Sequence, residues 1–364
     1  MQTGGAEKSI LEIASRLKDF EVTVVLLFSD KDDLRKDYEY AGLNVIDLHI
    51  SRYDKLWFWN GKKRFEKVVE KIQPNIVHAH LFKSEFIARI VKLPKQTKLV
   101  GAFVNDSYAR ERYLSQSFVR NFKLNTIKFF DKITINKNHY ITSITEAIKK
   151  TNCEALGYPQ SNTIVINRGR EIENDQNEYK YYEKKEAFNF IAVGRLLKRK
   201  GYIELINAVA ILNEKGYNFK LNIAGTGVDE GEIKKYAFDK KLKNIHFLGH
   251  RTDVPHLLAT HNCFVFVSHY EGQGGSLVEA MLAGIPIITT DIDVFKEQVE
   301  DGFSAQMAKV KNPESIARQM EWMIQNYGKA IEMGKNARNV AEQRFDIENI
   351  AKETESFYKQ IVKE

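Results

Sequence analysis

Short, uninterrupted apolar runs alternate with longer amphipathic stretches along most of this chain. The clearest run, at residues 263–267, is typical of a strand that is buried on both faces. In the second half of the chain we predict strands at residues 188–193, 219–224, 245–248, 263–267, 286–290 and 304–307. Between and after them we predict helices at residues 202–213, 230–239, 254–259, 277–282, 295–299 and 313–326, and near 329–345 and 347–362. This alternation of strands and helices predicts a doubly wound parallel sheet.

The first half of the chain shows the same alternation less regularly. Its predicted strands lie at residues 21–28, 44–48, 75–80, 98–104 and 163–166, with a short apolar stretch at 133–136. Its predicted helices lie at residues 6–18, 62–72, around 88, 107–130 and around 146–152. Residues 167–186 are polar and charged, which is typical of an interdomain linker. We therefore predict an α/β protein with two Rossmann-like domains, residues 1–170 and 171–346, and a final helix, residues 347–364, that packs back on the first domain.

The start of the first domain departs from this pattern. In a Rossmann-like unit, the phosphate-facing glycine loop follows the first strand. Here Gly4 and Gly5 follow Met1 so closely that a strand of about five residues has no room. We therefore expect the first domain to lack its first strand, with a gap in the sheet beside residues 21–28.

The segment at residues 268–290 joins two predicted strands through a glycine-rich loop and a helix. Its glycines let the backbone approach a ligand, and the start of the helix offers unpaired N–H groups to an anion. Glu271 and Glu279 bracket the loop, and this layout is typical of a nucleotide-sugar site. The alternative is that Ser276 and Glu279 form a capping box at the helix start and that Glu271 is an ordinary loop carboxylate.

Two further loops follow predicted strands of the second half. The basic turn at residues 194–201 supplies Arg and Lys side chains that suit a diphosphate, although a solvated turn would have the same composition. The G-x-G of Gly225 and Gly227 fits a tight turn beside a nucleotide or a simple left-handed turn. Asp253 directly precedes a predicted helix, so it can be explained as an ordinary N-cap.

Two histidines end a predicted strand of the first half. Because side chains alternate along a strand, His78 and His80 point to one face. His80 lies at the carboxyl end, where ligands bind in such sheets. A metal pair is the alternative, but no third ligand has convincing spacing.

The length and the cysteine content limit the class of protein. At 364 residues, the chain exceeds one typical core, which favours two domains. Cys153 and Cys263 are too few for a disulfide framework or a metal site, which favours a reducing compartment. No apolar run approaches the length of a bilayer span, and the N-terminus has no signal-peptide core. We therefore expect a cytoplasmic protein.

The net charge of +7 is unevenly distributed. Residues 1–170 hold 29 Lys and Arg against 19 Asp and Glu, whereas residues 171–364 hold 26 against 29. The basic first half predicts contact with an anionic surface. Two aromatic and basic stretches, residues 53–64 and 108–128, are the candidates for this contact. Their alternative is an aromatic core with solvated charges.

Two motifs of the second half resemble those of one family. The segment from Glu271 to Glu279 resembles the E-x7-E signature of the retaining glycosyltransferases of family 4 (glycosyl transferases group 1), and residues 194–201 resemble their G-R-x4-K-G pattern. The resemblance covers nearly the whole chain and is strongest at residues 188–303. It implies the GT-B fold, in which two Rossmann-like parallel-sheet domains face each other across a cleft. It also implies transfer of a sugar from a nucleoside diphosphate.

The resemblance implies roles for individual residues at the donor. Arg195 and Lys200 would hold the diphosphate, and residues 198–199 would be bystanders. Glu279 would bind the ribose hydroxyls, and Glu271 would face the transferred sugar. The residues that the resemblance places at the donor are Gly4, Gly5, Gly194, Gly225, Gly227, Arg251, Gly272, Gln273, Gly274, Gly275, Ser276 and Glu279.

The acceptor side is less well defined by the resemblance. Many family members carry a histidine at the end of the strand that corresponds to residues 98–104, and this chain has none there. The candidates for the acceptor-side acid or base are therefore His80, Asn105 and Asp106. With Arg195, Lys200 and Glu271, His80 completes the set of candidate catalytic residues.

The combined expectation is a retaining, metal-independent glycosyltransferase. It would move a sugar from a nucleoside-diphosphate sugar, a UDP-sugar, to a hydroxyl acceptor, with no further cofactor and no nucleic acid as a partner. The expected acceptor is a lipid-linked glycan of bacterial surface-polysaccharide synthesis, which places the protein at the inner face of the cytoplasmic membrane. Asp291 and Asp293 mimic a metal-binding D-x-D, but we interpret them as helix caps.

Two other functions fit parts of the sequence. A GT-B sugar-nucleotide epimerase shares the tandem fold, but its family carries a different acid pair. A non-catalytic sugar-nucleotide-binding or scaffold protein would explain the absent acceptor-side histidine, whereas the intact donor motifs argue against it.

Overall fold

The computed structural model describes residues 5–28, 35–51, 53–114, 116–172 and 187–363. They fall into two compact units. The first unit contains Met1–Glu171 and Phe345–Glu364, and the second contains Ile172–Arg344. The chain therefore leaves the first unit once and returns to it near its end. The predicted linker lies mostly outside the described residues.

The strands of the first unit form two separate parallel sheets. They are β1 (Thr23–Phe28), β2 (Asn44–Ile50), β3 (Ile76–His78), β4 (Lys98–Phe103), β5 (Tyr140–Ser143) and β6 (Thr163–Val165). One sheet pairs β1 with β2, and the other has the order β3-β4-β5-β6. Within the described ranges, β1 thus has a partner strand on one side only, as the sequence predicts. The glycine loop expected at Gly4 lies outside those ranges, and Gly5 begins the first helix.

The helices of the first unit follow the sequence pattern except in two regions, since the helix at Arg35–Tyr40 was not predicted and the helix predicted at 107–130 is interrupted. They are α1 (Gly5–Ala14), α2 (Arg35–Tyr40), α3 (Trp57–Ile72), α4 (Phe82–Ile90), α5 (Arg110–Leu114), α6 (Phe118–Thr134) and α7 (Glu146–Leu156). The helix predicted at 107–130 is divided into α5 and α6. The apolar stretch at 133–136 ends α6 in a short 3-10 turn.

The second unit contains one six-stranded parallel sheet with helices between the strands. Its strands are β7 (Phe188–Val193), β8 (Phe219–Ala224), β9 (Ile245–Gly249), β10 (Cys263–Phe266), β11 (Ile287–Thr290) and β12 (Gln306–Ala308). Its helices are α8 (Tyr202–Glu214), α9 (Glu230–Asp239), α10 (Val254–Thr260), α11 (Gly275–Ala283), α12 (Asp293–Lys296), α13 (Pro313–Gln325) and α14 (Tyr327–Arg344). The predicted strands all form, because their apolar runs are buried on both faces of the sheet.

The order of this sheet determines where a ligand can bind. The order is β12-β11-β10-β7-β8-β9, so the chain builds outward from β7 to β9 and then continues on the other side with β10. The direction of winding therefore changes between β7 and β10. In open parallel sheets, ligands bind beyond the carboxyl ends of the strands at such a switch point.

The last helix, α15 (Ile347–Lys363), belongs to the first unit. The backbone of Arg170 donates to Phe345 and accepts from Ile347, at 2.7 and 3.0 Å. Gly169 allows this approach, because a Cβ there would overlap the backbone of Ile347. From there α15 buries an apolar face in a core cluster with Val100 and other residues of the first unit. None of the described helices is both long and apolar enough to span a bilayer.

Candidate active site

The loops that follow β7 and β10 touch at the switch point. After β7, the chain makes a 3-10 turn at Lys198–Lys200 and reaches Gly201, whose φ is 72°. A Cβ at Gly201 would overlap the carbonyl oxygen of Val267, which follows β10. Only glycine permits this approach, which brings the basic turn against the loop that carries Glu271.

Three charged side chains meet between these loops. Lys200 Nζ contacts Glu271 Oε1, and Arg199 Nη1 donates to the same oxygen at 2.9 Å. Only 8% of the Glu271 side chain and 10% of the Lys200 side chain are exposed. The solvated turn that composition alone allowed is therefore wrong for Lys200, and Glu271 is not an ordinary loop carboxylate.

Burial and charge oppose each other in this cluster. Burial raises the pKa of Glu271, but the charges of Lys200 and Arg199 outweigh it and hold the pKa below its ordinary value. For Lys200, burial lowers the pKa more than the carboxylate of Glu271 raises it. The site thus holds a buried ionised carboxylate beside two cations.

The other basic residues of the turn differ in their surroundings. The Arg195 side chain is exposed, and its charge contributes to the lowered pKa of Lys200. Lys198 points away and pairs with Glu232 at 2.9 Å, as expected of a bystander. Arg199 is not a bystander, because it contacts Glu271. In the sequence, nothing distinguishes Arg199 from its basic neighbours.

The glycines of the neighbouring loops allow close backbone packing. A Cβ at Gly225, whose φ is 139°, would overlap the carbonyl oxygen of Gly194, and one at Gly227 would overlap that of Leu196. The φ of Gly225 lies outside the left-handed helical region, so the simple left-handed turn is wrong there. The contacts bring together the loops that follow β7 and β8.

The start of α11 differs from the capping box that the sequence allowed. The N-cap is Gly274, with a φ of 77° and no side-chain cap, and the helix begins at Gly275. Ser276 therefore lies inside the first turn, and Glu279 lies one turn further on. Both are too far along to form a capping box, so that interpretation is wrong. Glu279 is partly buried on the helix.

Gln273, in the loop before α11, is fixed by a hydrogen bond from another part of the second unit. The buried Gln273 accepts a hydrogen bond from Gln298 through its backbone oxygen, at 2.5 Å. Gly272, Gly275 and Ser276 are partly exposed at the start of α11. The first N–H groups of a helix have no partner within it, so this end of α11 offers donors to an anion.

Arg251 lies in the loop after β9 and pairs with Asp253. The guanidinium donates to both carboxylate oxygens, at 2.7 and 2.5 Å. These bonds lower the pKa of Asp253 to about 2. Asp253 is at the N-cap position of α10 but makes no side-chain cap, so its carboxylate orients Arg251 instead.

The two histidines predicted at the end of β3 lie against each other, with their rings inclined at 32°. The rings of His78 and His80 are 4.2 Å apart, which confirms that both point to one face. Burial lowers the pKa of His80 well below its ordinary value, and the neighbouring His78 and Arg168 lower it further. Arg168 donates to the carbonyl oxygen of Val104 at 3.3 Å, next to Asn105. The carboxyl ends of β3 and β4 thus hold a neutral imidazole beside a cation.

Asp291 and Asp293, the two aspartates of the D-x-D segment, do not cap a helix. Asp291 accepts from the backbone of Val310 at 3.0 Å, while Asp293 is the first residue of α12. The N-cap of α12 is Ile292, so the capping interpretation is wrong. In the part of the chain that the structure describes, no three His, Cys, Asp or Glu side chains are placed to hold a metal ion.

Family comparisons divide the chain at the same place as the fold. Residues 3–174 match the Glycosyltransferase Family 4 model, and residues 173–340 match the model of the Glycosyl transferases group 1. The two matches adjoin and together span most of the chain. The donor motifs around Lys200 and Glu271 lie within the second match.

Full-length relatives agree with these matches. The chain is 29% identical to the capsular polysaccharide biosynthesis glycosyltransferase CapM of Staphylococcus aureus, over 96% of this chain and 92% of CapM. It is 25% identical to the N,N'-diacetylbacillosaminyl-diphospho-undecaprenol alpha-1,3-N-acetylgalactosaminyltransferase of Campylobacter jejuni, over 97% and 95%.

Solved structures with little sequence identity share the fold. A glycosyltransferase from Rickettsia africae superposes with a TM-score of 0.80 at 17% identity, over 100% of this chain and 96% of that one. Anabaena HepE in complex with UDP-glucose gives 0.80 at 20% identity, over 99% and 97%. The tandem parallel sheets are therefore those of a GT-B enzyme. The chain belongs to the family 4, group 1 glycosyltransferases.

Proposed function

We propose that this glycosyltransferase moves a hexosyl group from a UDP-sugar to a hydroxyl acceptor, with retention of configuration and without a metal ion. The observation that carries the proposal is the cluster of Lys200, Arg199 and Glu271 at the switch point of the second sheet. A diphosphate leaving group needs positive charge, and a bound sugar needs oxygen acceptors for its hydroxyls. The cluster supplies both within one small volume.

The proposed reaction assigns one task to each group. Arg195 and Lys200 stabilise the diphosphate as the bond from its oxygen to the anomeric carbon breaks. The start of α11, at Gly275, donates backbone N–H groups to a phosphate oxygen. Glu271 accepts from the sugar hydroxyls, and Glu279 accepts from the ribose.

The acceptor completes the reaction from the same face of the sugar. Its oxygen bonds to the anomeric carbon, and its proton passes to the leaving phosphate oxygen, so atoms and charge balance. No side chain is placed as a nucleophile in this proposal, and no covalent enzyme intermediate forms. His80, Asn105 and Asp106 are the candidates for contact with the acceptor. Because Arg195 and Lys200 supply the charge, a metal ion is not required.

The acceptor that we propose is a lipid-linked glycan of surface-polysaccharide synthesis. The names of the relatives support this proposal, since CapM acts in capsule biosynthesis and the Campylobacter jejuni enzyme acts on a diphospho-undecaprenol substrate. A lipid-linked acceptor lies at a membrane, so the enzyme must reach a membrane surface. We therefore propose a peripheral position at the inner face of the cytoplasmic membrane.

An exposed apolar stripe on α6 is the proposed contact with that surface. Residues spaced by four, seven and four positions lie on one face of a helix. On α6 these are Phe118, Phe122, Phe129 and Ile133, which are 85%, 68%, 60% and 58% exposed. Monomeric proteins rarely expose several large apolar side chains together, and such a patch indicates an interaction site.

The stripe is held rigidly and carries positive charge beside it. Arg89 of α4 is buried and donates to Asp131 of α6 at 2.6 Å, which fixes the helix on the first unit. Lys123 and Lys132 are exposed on α6, and each is adjacent in sequence to a residue of the stripe. Apolar side chains flanked by cations suit an anionic bilayer. In α3, by contrast, Trp57 and Phe58 pack against a buried cluster, so the aromatic-core alternative holds for these two residues, whereas Trp59 is 64% exposed.

A panel assay tests the proposed reaction. The protein is incubated with UDP-, GDP- and TDP-hexoses and a lipid-linked glycan, with and without a chelator, and the product is analysed by NMR. We expect transfer from a UDP-sugar with an unchanged anomeric configuration and equal rates in chelator. An inverted product contradicts retention, and loss of activity in chelator contradicts metal independence. Epimerised free nucleotide sugar would support the epimerase instead.

A further inference from the structure

We propose that Arg199 is a positioning residue that holds Glu271 ionised and in place while Lys200 binds the donor diphosphate. The inference rests on the proposed function and adds a residue that the family motif leaves unassigned. In the structure both cations contact one carboxylate oxygen, Glu271 Oε1. To bind the donor diphosphate, Lys200 must leave Glu271. Arg199 allows this change, because it stays paired with the carboxylate.

The position of Arg199 does not depend on Lys200. Its Nη1 also donates to the carbonyl oxygen of Tyr270 at 3.1 Å, and its guanidinium lies 5.4 Å from the centre of the Tyr270 ring. Its own carbonyl oxygen accepts from the backbone of His269 at 2.8 Å. Arg199 is therefore fixed at three points to the loop that carries Glu271.

The burial of Glu271 makes a second cation necessary. A buried carboxylate without a partner is strongly destabilised and takes up a proton instead. The ionisable groups that act on Glu271 or are influenced by it are Lys200 and Arg199 of the 3-10 turn and Tyr202 of α8. When Lys200 turns to the diphosphate, Arg199 is the cation in this set that stays.

The guanidinium suits this task better than an ammonium. It keeps its charge at any physiological pH, and its planar array of donors can serve the carboxylate and the Tyr270 carbonyl together. Without Arg199, Glu271 would either hold Lys200 back or become protonated once Lys200 left. Retention of Lys200 by Glu271 would raise the KM for the donor. Protonation of Glu271 would make activity decline at a higher pH than in wild type when the solution is acidified.

The experiment compares Arg199→Gln, Arg199→Lys and the wild-type enzyme in kcat/KM for a UDP-sugar as a function of pH. We expect the acid limb of the profile to move up by about one pH unit in Arg199→Gln, because the carboxylate loses a neighbouring cation. In Arg199→Lys the charge is kept, and the limb should stay close to that of wild type. Lys198→Gln is the matched control, since that exposed side chain pairs with Glu232 outside the cluster.

Thermal unfolding and the activity of a Lys200 variant complete the test. Thermal unfolding shows whether Arg199→Gln folds, and Arg199→Met, which keeps the apolar stem, takes its place if it does not. An unchanged acid limb and donor KM in the folded neutral variant overturn the proposal, as does an equal shift in Lys198→Gln. Lys200→Met tests the proposed function separately, because full turnover in that variant would refute the role of the cluster whatever Arg199 does.

Discussion

Tyr358 of α15 and His78 of β3 form a partly buried hydrogen bond of 2.5 Å, although 280 residues separate them. The other ring nitrogen of His78, Nε2, lies 3.0 Å from Thr142 Oγ1. Thr142 gives its proton to the carbonyl oxygen of Gly101, so it accepts from His78. Hence Nδ1 carries no proton, and Tyr358 is the donor. The C-terminal helix thereby fixes a neutral histidine, against which the ring of His80 lies.

The neutral state of His78 should make stability depend on pH. Burial lowers its pKa to about 4, whereas the unfolded chain titrates near its ordinary 6.5. The stabilising contribution is therefore fully present above pH 6.5 and is lost as the pH falls from 6.5 to 4. The loss amounts to about 3 kcal/mol.

The variant His78→Gln isolates this contribution, because an amide can make both hydrogen bonds without titrating. Urea unfolding at pH 7.5 and 4.5 should show a smaller loss of stability on acidification in the variant than in wild type. Equal losses would mean that His78 is not held neutral in the folded state.

The comparison of sequence and structure explains which features a sequence can predict. The strands of the second unit were predictable because uninterrupted apolar runs mark strands buried on both faces. Strand β5 was not predicted, because Tyr140–Ser143 is only four residues long and three of them carry hydroxyl groups. The roles of Arg199 and Tyr358 were hidden for another reason. Both depend on a partner that is distant in sequence, and no local pattern reports such a contact.

Loss of the Lys200 charge should affect catalysis more than donor binding. A cation directed at the leaving group acts mainly in the transition state, so Lys200→Met should lower kcat by about 100-fold or more. Steady-state kinetics with a UDP-sugar measure the effect, and Lys198→Met serves as the control. A raised donor KM with an unchanged kcat would assign Lys200 to ground-state binding only.

Glu279 should recognise the ribose of the donor. Replacing the carboxylate by an amide in Glu279→Gln weakens a charged hydrogen bond and should lower the affinity for UDP about tenfold. Calorimetry with UDP and with 2′,3′-dideoxy-UDP locates the contact. Wild type should prefer UDP clearly, and the variant should discriminate less. If both proteins discriminate equally, Glu279 does not bind the ribose hydroxyls.

The backbone contact between Gly225 and Gly194 should not tolerate a side chain. Gly225→Ala places a Cβ on a carbonyl oxygen at a φ of 139°, and we expect a loss of at least about 2 kcal/mol in the free energy of unfolding. Gly231→Ala is the control, since a Cβ there meets nothing within 4 Å and lies in α9. It should stabilise the protein by up to about 1 kcal/mol. Similar effects of the two substitutions in urea unfolding would contradict the close contact.

The apolar stripe on α6 should bind anionic membranes. Vesicles of phosphatidylcholine with and without phosphatidylglycerol are sedimented with the protein at increasing salt. Binding should require the anionic lipid and weaken above physiological ionic strength, because screening shortens the reach of Lys123 and its neighbours. Lys123→Gln should weaken binding about fivefold, since one cation near such a surface contributes about 1 kcal/mol.

The apolar part of the contact needs its own variant and control. Phe118→Ser with Phe122→Ser removes half of the stripe and should reduce binding even at low salt, where electrostatic attraction is strongest. Phe238→Ser changes a side chain that is 82% exposed on α9 of the second unit, so it should bind like wild type. Equal binding to neutral and anionic vesicles, or equal losses in the α6 variant and the Phe238 control, would show that α6 is not the membrane contact. We therefore expect wild type and Phe238→Ser to bind best, Lys123→Gln to bind less well and the α6 double variant to bind least. This order follows only if apolar insertion and charge act at the same helix.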